Sequence, residues 1–405
     1  MSSTQPSRLW LPFTQMQAFD PARRTFVRGE GCYLHDARGR RVFDAVSSIW
    51  TTIHGHGHPA IVEAIAKQSA QLDHATLLGA TNPVAEELAA RLSALTLMDY
   101  AFFSGDGASA IEAALKMALQ YWQNAGQPNR THFVRLVDAY HGDTSGAMSV
   151  SDIALFKSRF GALTFEAVEY DAAGDVLQRA DVAAIVVEPI VQAAAGMRIV
   201  PAATYDRLRS MEPLLIVDEI ATGFGRTGAM FAHEHLDLHP DIVCAGKGLT
   251  GGTLALSATL VRERIYDAFL GAHAEMKQFF HGHSFAGNPI ACAAALANLN
   301  VFEREGTLER ARSLADDLSV RLDVLRVHPL VRDVRQAGLM IGIELRAEAI
   351  GAGAALSPAW RIADGLYEAG HFTRPIGDVI QLVPPLTSSI HDLHAFVDAL
   401  EAILA

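Results

Sequence analysis

The sequence predicts an α/β fold, with a large domain built on a mainly parallel sheet and a smaller domain of the α+β kind. Across the middle of the chain, short apolar runs rich in β-branched residues alternate with longer helical patterns, which is typical of parallel strands joined by crossover helices. The chain has 405 residues, of which 50% are hydrophobic and 19% are charged, so it can bury a large core. This length favours two domains, or three.

Local patterns predict the strands. In the N-terminal segment, residues 32–45 predict a β-hairpin that turns at Arg38 and Gly39. Apolar runs then predict strands near residues 101, 131, 183, 214, 241 and 256. These runs lie between helical patterns, so most of the strands are expected to be parallel.

The helices show a different periodicity. A helix that opens at Gly107 carries Ile111, Leu115 and Leu119 on one face, which is expected to pack on the sheet. Near residue 300 the pattern changes to a charged helix, FEREGTLERARSLADDL, followed by single strands such as LMIGIEL and a final helix. The domains expected from these changes are an N-terminal segment 1–55 that joins the small domain, a large domain 56–300 and a small domain 301–405.

Charge and cysteine content exclude several classes of function. The formal net charge is −12 and no run of lysine and arginine occurs, so neither nucleic acid nor an anionic membrane is an expected partner, and the substrate is expected to be small. No leader-like segment and no apolar stretch of about 20 residues occurs, which predicts a cytoplasmic protein. The three cysteines are far apart and lack CxxC spacing, so we expect reduced thiols rather than disulfides or a zinc site.

A reactive amine is predicted at Lys247. The sequence contains only five lysines, and the other four have polar or helical surroundings in which a lysine is normally solvated. Lys247 instead follows the apolar run DIVCAG and lies between Gly246 and Gly248, where the backbone can approach a flat ligand closely. Desolvation at such a strand end lowers the pKa of the amine, as Schiff-base chemistry requires. The alternative is a lysine that is ion-paired or extends to solvent.

Three further signals indicate a flat, phosphorylated cofactor. The strand LLIVDE ends at Asp218, at the edge where open α/β sheets bind ligands, and a carboxylate there can keep a pyridinium nitrogen protonated. Residues 104–112, SGDGASAIE, place small residues at a helix N-terminus, which can bind phosphate. Tyr140 follows another strand, and its ring can stack on a heterocycle. Each signal alone also fits an ion pair, a helix cap or a core tyrosine.

These motifs, in this order, resemble the class III aminotransferases of the pyridoxal-phosphate (PLP) fold type I. The resemblance covers nearly the whole chain and includes the small-residue turn with its helix, YHG, EPI, DE..TGFGRTG, GKG and HGHSFAGNP. It implies a PLP-dependent aminotransferase that acts on a small-molecule amino donor and a keto acceptor.

The resemblance implies roles for residues around the cofactor. Lys247 would form the Schiff base, Asp218 would pair with the pyridinium nitrogen, and Tyr140 and Ile220 would cover the two faces of the ring. The other implied cofactor-binding positions are Gly107 and Ala108 at the phosphate, His141 next to the stacking tyrosine, and Glu188 as support. Ala108 departs from the hydroxyl residue that is common in this turn.

The resemblance also implies a substrate pocket and a partner subunit. Trp50 and Gly282 would line the substrate pocket, and Arg374 would receive a substrate carboxylate. Ser284 stands where the family has a hydroxyl residue that reaches the phosphate of the partner subunit, which implies a homodimer with shared active sites. The resemblance implies no metal.

Within the family, the stretches WLPFTQM, SSIWTTIHGHGHP and TRPIGDVIQLVPPL are similar to those of enzymes that aminate 8-amino-7-oxononanoate in biotin biosynthesis. The amino donor of such enzymes is lysine or S-adenosylmethionine. Phe13 and Ile49 replace a tyrosine and a tryptophan that the S-adenosylmethionine-using members tend to have, which favours lysine. A transaminase acting on an ω-amino acid or a diamine is the alternative.

Other motifs suggest rival functions. Residues 223–228 spell GxGxxG, which suggests an NAD-dependent oxidoreductase, but acidic residues separate these glycines from the strand and would repel a pyrophosphate. Residues 282–286 nearly form the GxSxG elbow of a hydrolase, with alanine in place of the last glycine. Alternating histidines occur at 54–58, 233–235 and 281–283, without the cysteine or paired carboxylate that would complete a metal site.

Overall fold

The computed structural model describes residues 8–18, 24–170, 175–350 and 357–405. The strands are β1 (Phe26–Glu30), β2 (Tyr33–Asp36), β3 (Arg41–Asp44), β4 (Tyr100–Ser104), β5 (His132–Arg135), β6 (Val168–Glu169), β7 (Val182–Val187), β8 (Val191–Gln192), β9 (Arg198–Ile199), β10 (Leu214–Asp218), β11 (Ile242–Ala245), β12 (Ser257–Val261), β13 (Val331–Ala337), β14 (Met340–Leu345), β15 (His371–Phe372) and β16 (Val379–Leu382).

The α-helical segments are α1 (Ser47–Trp50), α2 (Pro59–Gln71), α3 (Pro83–Thr96), α4 (Gly107–Asn124), α5 (Ser145–Ser149), α6 (Ala154–Lys157), α7 (Glu263–Asp267), α8 (Pro289–Glu305), α9 (Thr307–Arg321), α10 (Asp323–Arg326), α11 (Ala347–Ile350), α12 (Pro358–Glu368) and α13 (Ile390–Leu404). The short 3-10 segments are 16–18, 158–163, 176–178, 202–210, 232–236, 247–250 and 273–275.

The large sheet has the strand order β4-β12-β11-β10-β7-β5-β6 and is mainly parallel, as the sequence predicts. The strand β12 is antiparallel to both of its neighbours, whereas β10 is parallel to β7 and β11. All residues of β7, β10 and β11 are buried, which explains why these strands appear in the sequence as continuous apolar runs. The carboxyl ends of β10 and β11 therefore lie side by side.

The helix α4 packs one face on this sheet. Ile111 and Leu115 are buried in a cluster with Ile216 of β10, and Leu119 packs at its margin. Burying each of these side chains contributes roughly 1.5–3 kcal/mol. Because the face is fixed by this packing, the first turn of α4 is held at the end of the sheet next to β10.

The predicted N-terminal hairpin is present and forms part of a separate sheet. The strands β2 and β3 pair antiparallel, and β15, from the C-terminal part of the chain, adds to β3 in parallel. The strands β13, β14 and β16 form a second, antiparallel sheet. The predicted domain bounds stay a prediction, and the proposed boundary after residue 300 falls inside α8.

The charged helix predicted from residue 302 onward is two helices. The helix α8 ends at Glu305, and α9 begins at Thr307. Gly306 between them has a φ of +59°, a left-handed conformation that glycine adopts without steric cost. The charged pattern of the sequence therefore continues across the break between α8 and α9, and in the sequence only Gly306 marks that break. In the described part of the chain, no helix is long and apolar enough to cross a membrane.

Candidate active site

The carboxyl ends of the central strands surround a cavity of about 240 Å³. It lies where β10 and β11 end and where α4 begins, which is the usual ligand-binding edge of an open α/β sheet. The sequence-predicted residues that line this cavity are Trp50, Gly107, Ala108, Tyr140, His141, Glu188, Asp218, Ile220 and Lys247. The structure thus brings together residues from distant parts of the sequence.

Lys247 begins the 3-10 turn that follows β11 and has a φ of +41°. Its Nζ lies 5.2 Å from the centre of the Trp50 ring. Burial lowers the pKa of the Lys247 amine, while Asp218 and Glu188 oppose this effect. An amine that loses its proton more readily than a solvated lysine can act as a nucleophile and as a general base.

Asp218 at the end of β10 is oriented by two hydrogen bonds. Its Oδ2 lies 2.7 Å from Nδ1 of His141, and its Oδ1 accepts from the backbone N–H of Ile220 at 3.0 Å. The other nitrogen of His141, Nε2, is buried without a hydrogen-bond partner in the described residues. The carboxylate is therefore held in one orientation at the cavity wall, as a partner for a cationic ring nitrogen must be.

Glu188 lies behind Tyr140 and is buried. Its two carboxyl oxygens accept hydrogen bonds from the backbone N–H groups of Tyr140, at 3.0 Å, and Ala193, at 3.2 Å. Burial raises the pKa of Glu188 to about 7, so this carboxyl can gain or lose a proton near neutral pH. Glu188 thereby fixes the backbone that presents the Tyr140 ring to the cavity.

The glycine that opens α4 permits close approach of the two cavity walls. A Cβ on Gly107 would lie only 2.8 Å from Cγ2 of Ile220, so a larger residue there would displace the Ile220 side chain. Asp106 caps the helix by accepting from the N–H of Ser109 at 2.8 Å. The N–H groups of Gly107 and Ala108 lie in the first turn, which has no intrahelical acceptors and attracts anions.

Trp50 closes the cavity from a left-handed turn. The four residues of α1 have φ values between +48° and +67°, and a left-handed conformation costs roughly 1–2 kcal/mol for each such residue. Buried Asp44 holds the turn by accepting from the backbone N–H and the hydroxyl of Ser48, at 3.1 and 2.9 Å. The indole N–H of Trp50 donates to Oε1 of Gln381 at 2.7 Å.

Three sequence-predicted residues lie outside this cavity. Gly282 and Ser284 are exposed on the loop before α8, so this chain alone does not bring the Ser284 hydroxyl to its own cavity. Arg374 is partly buried, with its guanidinium 6.0 Å from the ring of Trp360. Burial lowers the pKa of Arg374, and no described carboxylate forms an ion pair with it.

The rival motifs have other structural settings. The glycines of residues 223–228 lie in turns followed by a short 3-10 segment, not at the start of an α-helix as a dinucleotide site requires. Residues 282–286 form a loop, exposed at Gly282, Ser284 and Phe285, rather than a strand-to-helix elbow. The alternating histidines make separate hydrogen bonds, for example His56 with Asp44 and His233 with Glu219.

Sequence reasoning missed a buried polar network beneath Lys247. The amide of Asn298 in α8 donates to the carbonyls of Gly248 and Leu249, at 2.9 and 3.1 Å, in the turn that Lys247 begins. Its oxygen lies 2.9 Å from Nδ1 of His54, whose other nitrogen lies 3.0 Å from the hydroxyl of Thr307. A polar residue on an otherwise apolar helix face is the one signal that could have revealed Asn298.

Sequence reasoning also missed Arg226. Its side chain is fully buried and donates to the carbonyls of Thr52 and Pro384, at 3.0 and 2.6 Å. Burial lowers the pKa of Arg226 to about 9. Arg226 thus joins the segment after Trp50 to the segment after β16.

A family model described as class III aminotransferase matches residues 16–404. The chain belongs to the class III aminotransferases. As a member of this family it is a PLP-dependent aminotransferase with the type I fold. The cavity fits that cofactor, because a carboxylate, an amine, an aromatic ring and a helix N-terminus face the same space, and because Gly107 leaves room where a Cβ would collide.

Individual relatives are similar over their full length. The chain is 40% identical to the adenosylmethionine-8-amino-7-oxononanoate aminotransferase of Aquifex aeolicus, covering 97% of this chain and 94% of the relative. The crystal structure of the protein of the same name from Methanocaldococcus jannaschii has a TM-score of 0.92, with 38% identity and coverage of 98% and 96%. A PLP-bound amine transaminase from an uncultivated Pseudomonas species has a TM-score of 0.90, with 33% identity and 99% coverage of both chains.

Proposed function

We propose that this aminotransferase converts 8-amino-7-oxononanoate into 7,8-diaminononanoate, a step of biotin biosynthesis. The observation that carries the proposal is the full-length similarity, at about 40% identity, to relatives named for this acceptor. The lining of the cavity agrees with this proposal. It contains the amine and the carboxylate that transamination requires, together with the aromatic side chain of Trp50. An apolar wall suits the methylene chain of such an acceptor.

Each residue then has a definable task. When bound, PLP supplies an electron sink that makes the proton next to the substrate nitrogen acidic. The Nζ of Lys247 would hold the cofactor and would accept and return that proton. The carboxylate of Asp218 would keep the ring nitrogen protonated, and its bond to His141 fixes its orientation. Tyr140 and Ile220 would line the two faces of the ring.

The acceptor carboxylate is assigned to Arg374. Its guanidinium is partly buried and lacks a carboxylate partner among the described residues, so it is available for a bidentate bond to an anionic substrate. Its backbone carbonyl accepts a hydrogen bond from the same glutamine that holds Trp50. This shared partner supports assigning Trp50 and Arg374 to one substrate pocket, although Arg374 does not line the cavity of about 240 Å³ itself.

For the donor we propose S-adenosylmethionine, although Phe13 and Ile49 in the sequence favour lysine. The relatives carry adenosylmethionine in their names. The change from tyrosine to phenylalanine at position 13 removes one hydroxyl, which is worth only about 1 kcal/mol. The ring of Phe13 packs edge-on against Phe156, at 5.1 Å, and Phe156 in turn packs against Tyr140, at 5.8 Å, so an aromatic surface remains beside the cavity.

We further propose a homodimer that shares its active sites. The side chains of Leu78, Phe280 and Phe285, which we call the apolar loop face, are 66%, 63% and 65% exposed. Phe280 and Phe285 are close to Ser284 in the sequence, and Leu78 lies near Gly282. A second cavity of about 290 Å³ opens next to Gly107 and Lys247. The hydroxyl of a partner's serine could reach the phosphate end through this opening. The three buried free thiols suit a cytoplasmic location.

A half-reaction assay tests the proposal. Purified holoenzyme is mixed with one amine at a time, and the visible absorbance of the bound cofactor is followed. We expect S-adenosylmethionine to cause a rapid loss of this absorbance, and the addition of 8-amino-7-oxononanoate to restore it. Loss with lysine alone would return the donor assignment to lysine, and loss only with a diamine or an ω-amino acid would overturn the biotin assignment.

A further inference from the structure

One buried glutamine joins the two parts of the proposed substrate pocket. Gln381 lies in β16 and has no exposed surface. Its Oε1 accepts from the indole N–H of Trp50 at 2.7 Å, and its Nε2 donates to the backbone carbonyl of Arg374. A single side chain thus contacts both the aromatic wall and the residue that carries the free guanidinium.

The chemistry of these partners fixes the orientation of the amide. An indole N–H can only donate and a backbone carbonyl can only accept, so Gln381 must present its oxygen to Trp50 and its NH₂ to Arg374. Glutamate could keep the first bond, but it would place a carboxylate oxygen against the carbonyl. Methionine has a similar shape, but its thioether is only a weak acceptor for the indole N–H and cannot donate to the carbonyl. Glutamine is therefore the only one of the three that satisfies both neighbours.

The backbone of Gln381 is held as firmly as its side chain. In the antiparallel sheet it lies opposite Gly342 of β14, and its carbonyl accepts from the hydroxyl of Thr373 at 2.6 Å. Two residues further, the carbonyl of Val383 accepts from the hydroxyl of Ser47 in the left-handed turn, at 2.7 Å. The side-chain amide of Gln381 is therefore held in place by its strand, and its two hydrogen bonds fix the positions of Trp50 and Arg374.

The distance between the two ends of the pocket follows from this arrangement. At one end, Trp50 lies next to the reactive amine, with its ring centre 5.2 Å from Nζ of Lys247. At the other end, the backbone of Arg374 carries the guanidinium that the proposed function assigns to the substrate carboxylate. A shift of the Gln381 amide would change the distance between Trp50 and Arg374.

We propose that Gln381 is a positioning residue that sets the spacing between the reacting centre and the carboxylate-binding guanidinium, and so selects acceptors whose carboxylate lies several methylene groups from the carbonyl. The inference rests on the proposed function, because it takes Arg374 as the carboxylate site. Gln381 itself touches no reacting atom. It determines specificity through Trp50 and Arg374.

The experiment compares Gln381→Met and Gln381→Glu with the wild-type holoenzyme. Gln68→Met is the matched control, because Gln68 is another buried glutamine that donates to a backbone carbonyl, in α2. The measured quantity is kcat/KM for 8-amino-7-oxononanoate divided by kcat/KM for a short neutral ketone. Loss of two buried hydrogen bonds predicts a fall in this ratio of about 10- to 100-fold in Gln381→Met. A fall of at least tenfold is expected in Gln381→Glu, and no change in the control.

A binding measurement separates this inference from the proposed function. In protein labelled with ¹⁵N-tryptophan, the indole resonance of Trp50 is identified by its loss in Trp50→Phe, and the dissociation constant of nonanoate is measured by calorimetry. We expect Gln381→Met to shift that resonance and to weaken nonanoate binding at least fivefold. If wild type fails to aminate 8-amino-7-oxononanoate, yet Gln381→Met shows both effects relative to wild type, the biotin assignment falls and the positioning role of Gln381 stands.

Two results would overturn the inference. One is a Gln381→Met enzyme that melts like wild type and keeps both its acceptor ratio and its nonanoate affinity. The other is a shifted Trp50 resonance with unchanged nonanoate affinity. If Gln381→Met does not fold, Trp50→Phe removes the same hydrogen bond from the other side, and unchanged nonanoate affinity in that variant rejects the inference equally.

Discussion

At the scale of single residues, the proposed function assigns the chemistry to Lys247. Its amine faces Trp50 in the cavity, and burial lowers its pKa. We expect Lys247→Ala to abolish turnover and the visible absorbance of the bound cofactor, because no other amine lines the cavity in the described residues. Lys67→Ala, which changes an exposed lysine on α2, serves as the control and should leave both unchanged. Substantial turnover by Lys247→Ala without added amine would contradict the assignment.

The task proposed for Asp218 can be separated from cofactor binding. An uncharged ring nitrogen is a poor electron sink, so Asp218→Asn should slow the reaction by about 10³-fold or more, several kcal/mol in the barrier. The loss in cofactor affinity should be much smaller, because Lys247 and the first turn of α4 still hold it. The rate constant of the reaction and the dissociation constant of the cofactor are measured on the same preparation. A rate within about tenfold of wild type would mean that the ring is protonated by another group.

At the scale of secondary-structure elements, the network between α8, α9 and His54 holds the turn of Lys247. Burial lowers the pKa of His54 to about 4, so His54 is neutral in the folded protein, whereas an unfolded histidine has a pKa near 6.5. The unfolded chain then binds more protons between these values. The stability that His54 contributes is present above pH 6.5 and is lost as the pH falls toward 4, by up to about 3 kcal/mol.

Urea unfolding at pH 7 and at pH 4.5 tests this contribution. We expect His54→Gln to lose less unfolding free energy than wild type over this interval, because the substituted residue does not titrate. His391→Gln, which removes an exposed histidine of α13, is the control and should follow wild type. Equal losses in wild type and His54→Gln would show that the acid sensitivity arises elsewhere.

The same elements show how far the sequence could be used for prediction. The strand ends at Asp218 and Lys247 and the helix start at Gly107 were predictable, because each lies at a sharp change of local pattern. Gln381, Asn298 and Arg226 were not, since each bonds to a distant partner, 331, 50 and 158 positions away along the chain, respectively. The break at Gly306 was also hidden, because the charges on its two sides continue one pattern.

At the scale of the whole molecule, the apolar loop face is the surface proposed for the dimer. An aspartate at Phe285 would place a charge in a buried interface, so Phe285→Asp should shift the protein from dimer to monomer in analytical ultracentrifugation. Because the shared site would be lost, cofactor retention should fall as well. Val327→Asp introduces the same charge at a residue that is 81% exposed elsewhere, and should remain dimeric. A monomeric enzyme with full activity would contradict the shared-site proposal.

The strand β16 and the segment that follows it also set an order of events in time. Val383 and Leu386 donate backbone hydrogen bonds to Ala45 and Ile53, on either side of the turn that presents Trp50. Trp50 and its partner Gln381 are 331 positions apart, so the ribosome delivers the partner roughly 15–70 s after the tryptophan. Until then the costly left-handed turn has its bonds to Asp44 but lacks the contacts from the C-terminal part of the chain. The substrate wall is therefore among the last parts of the protein to form, and a chain released early would carry Lys247 without a finished pocket.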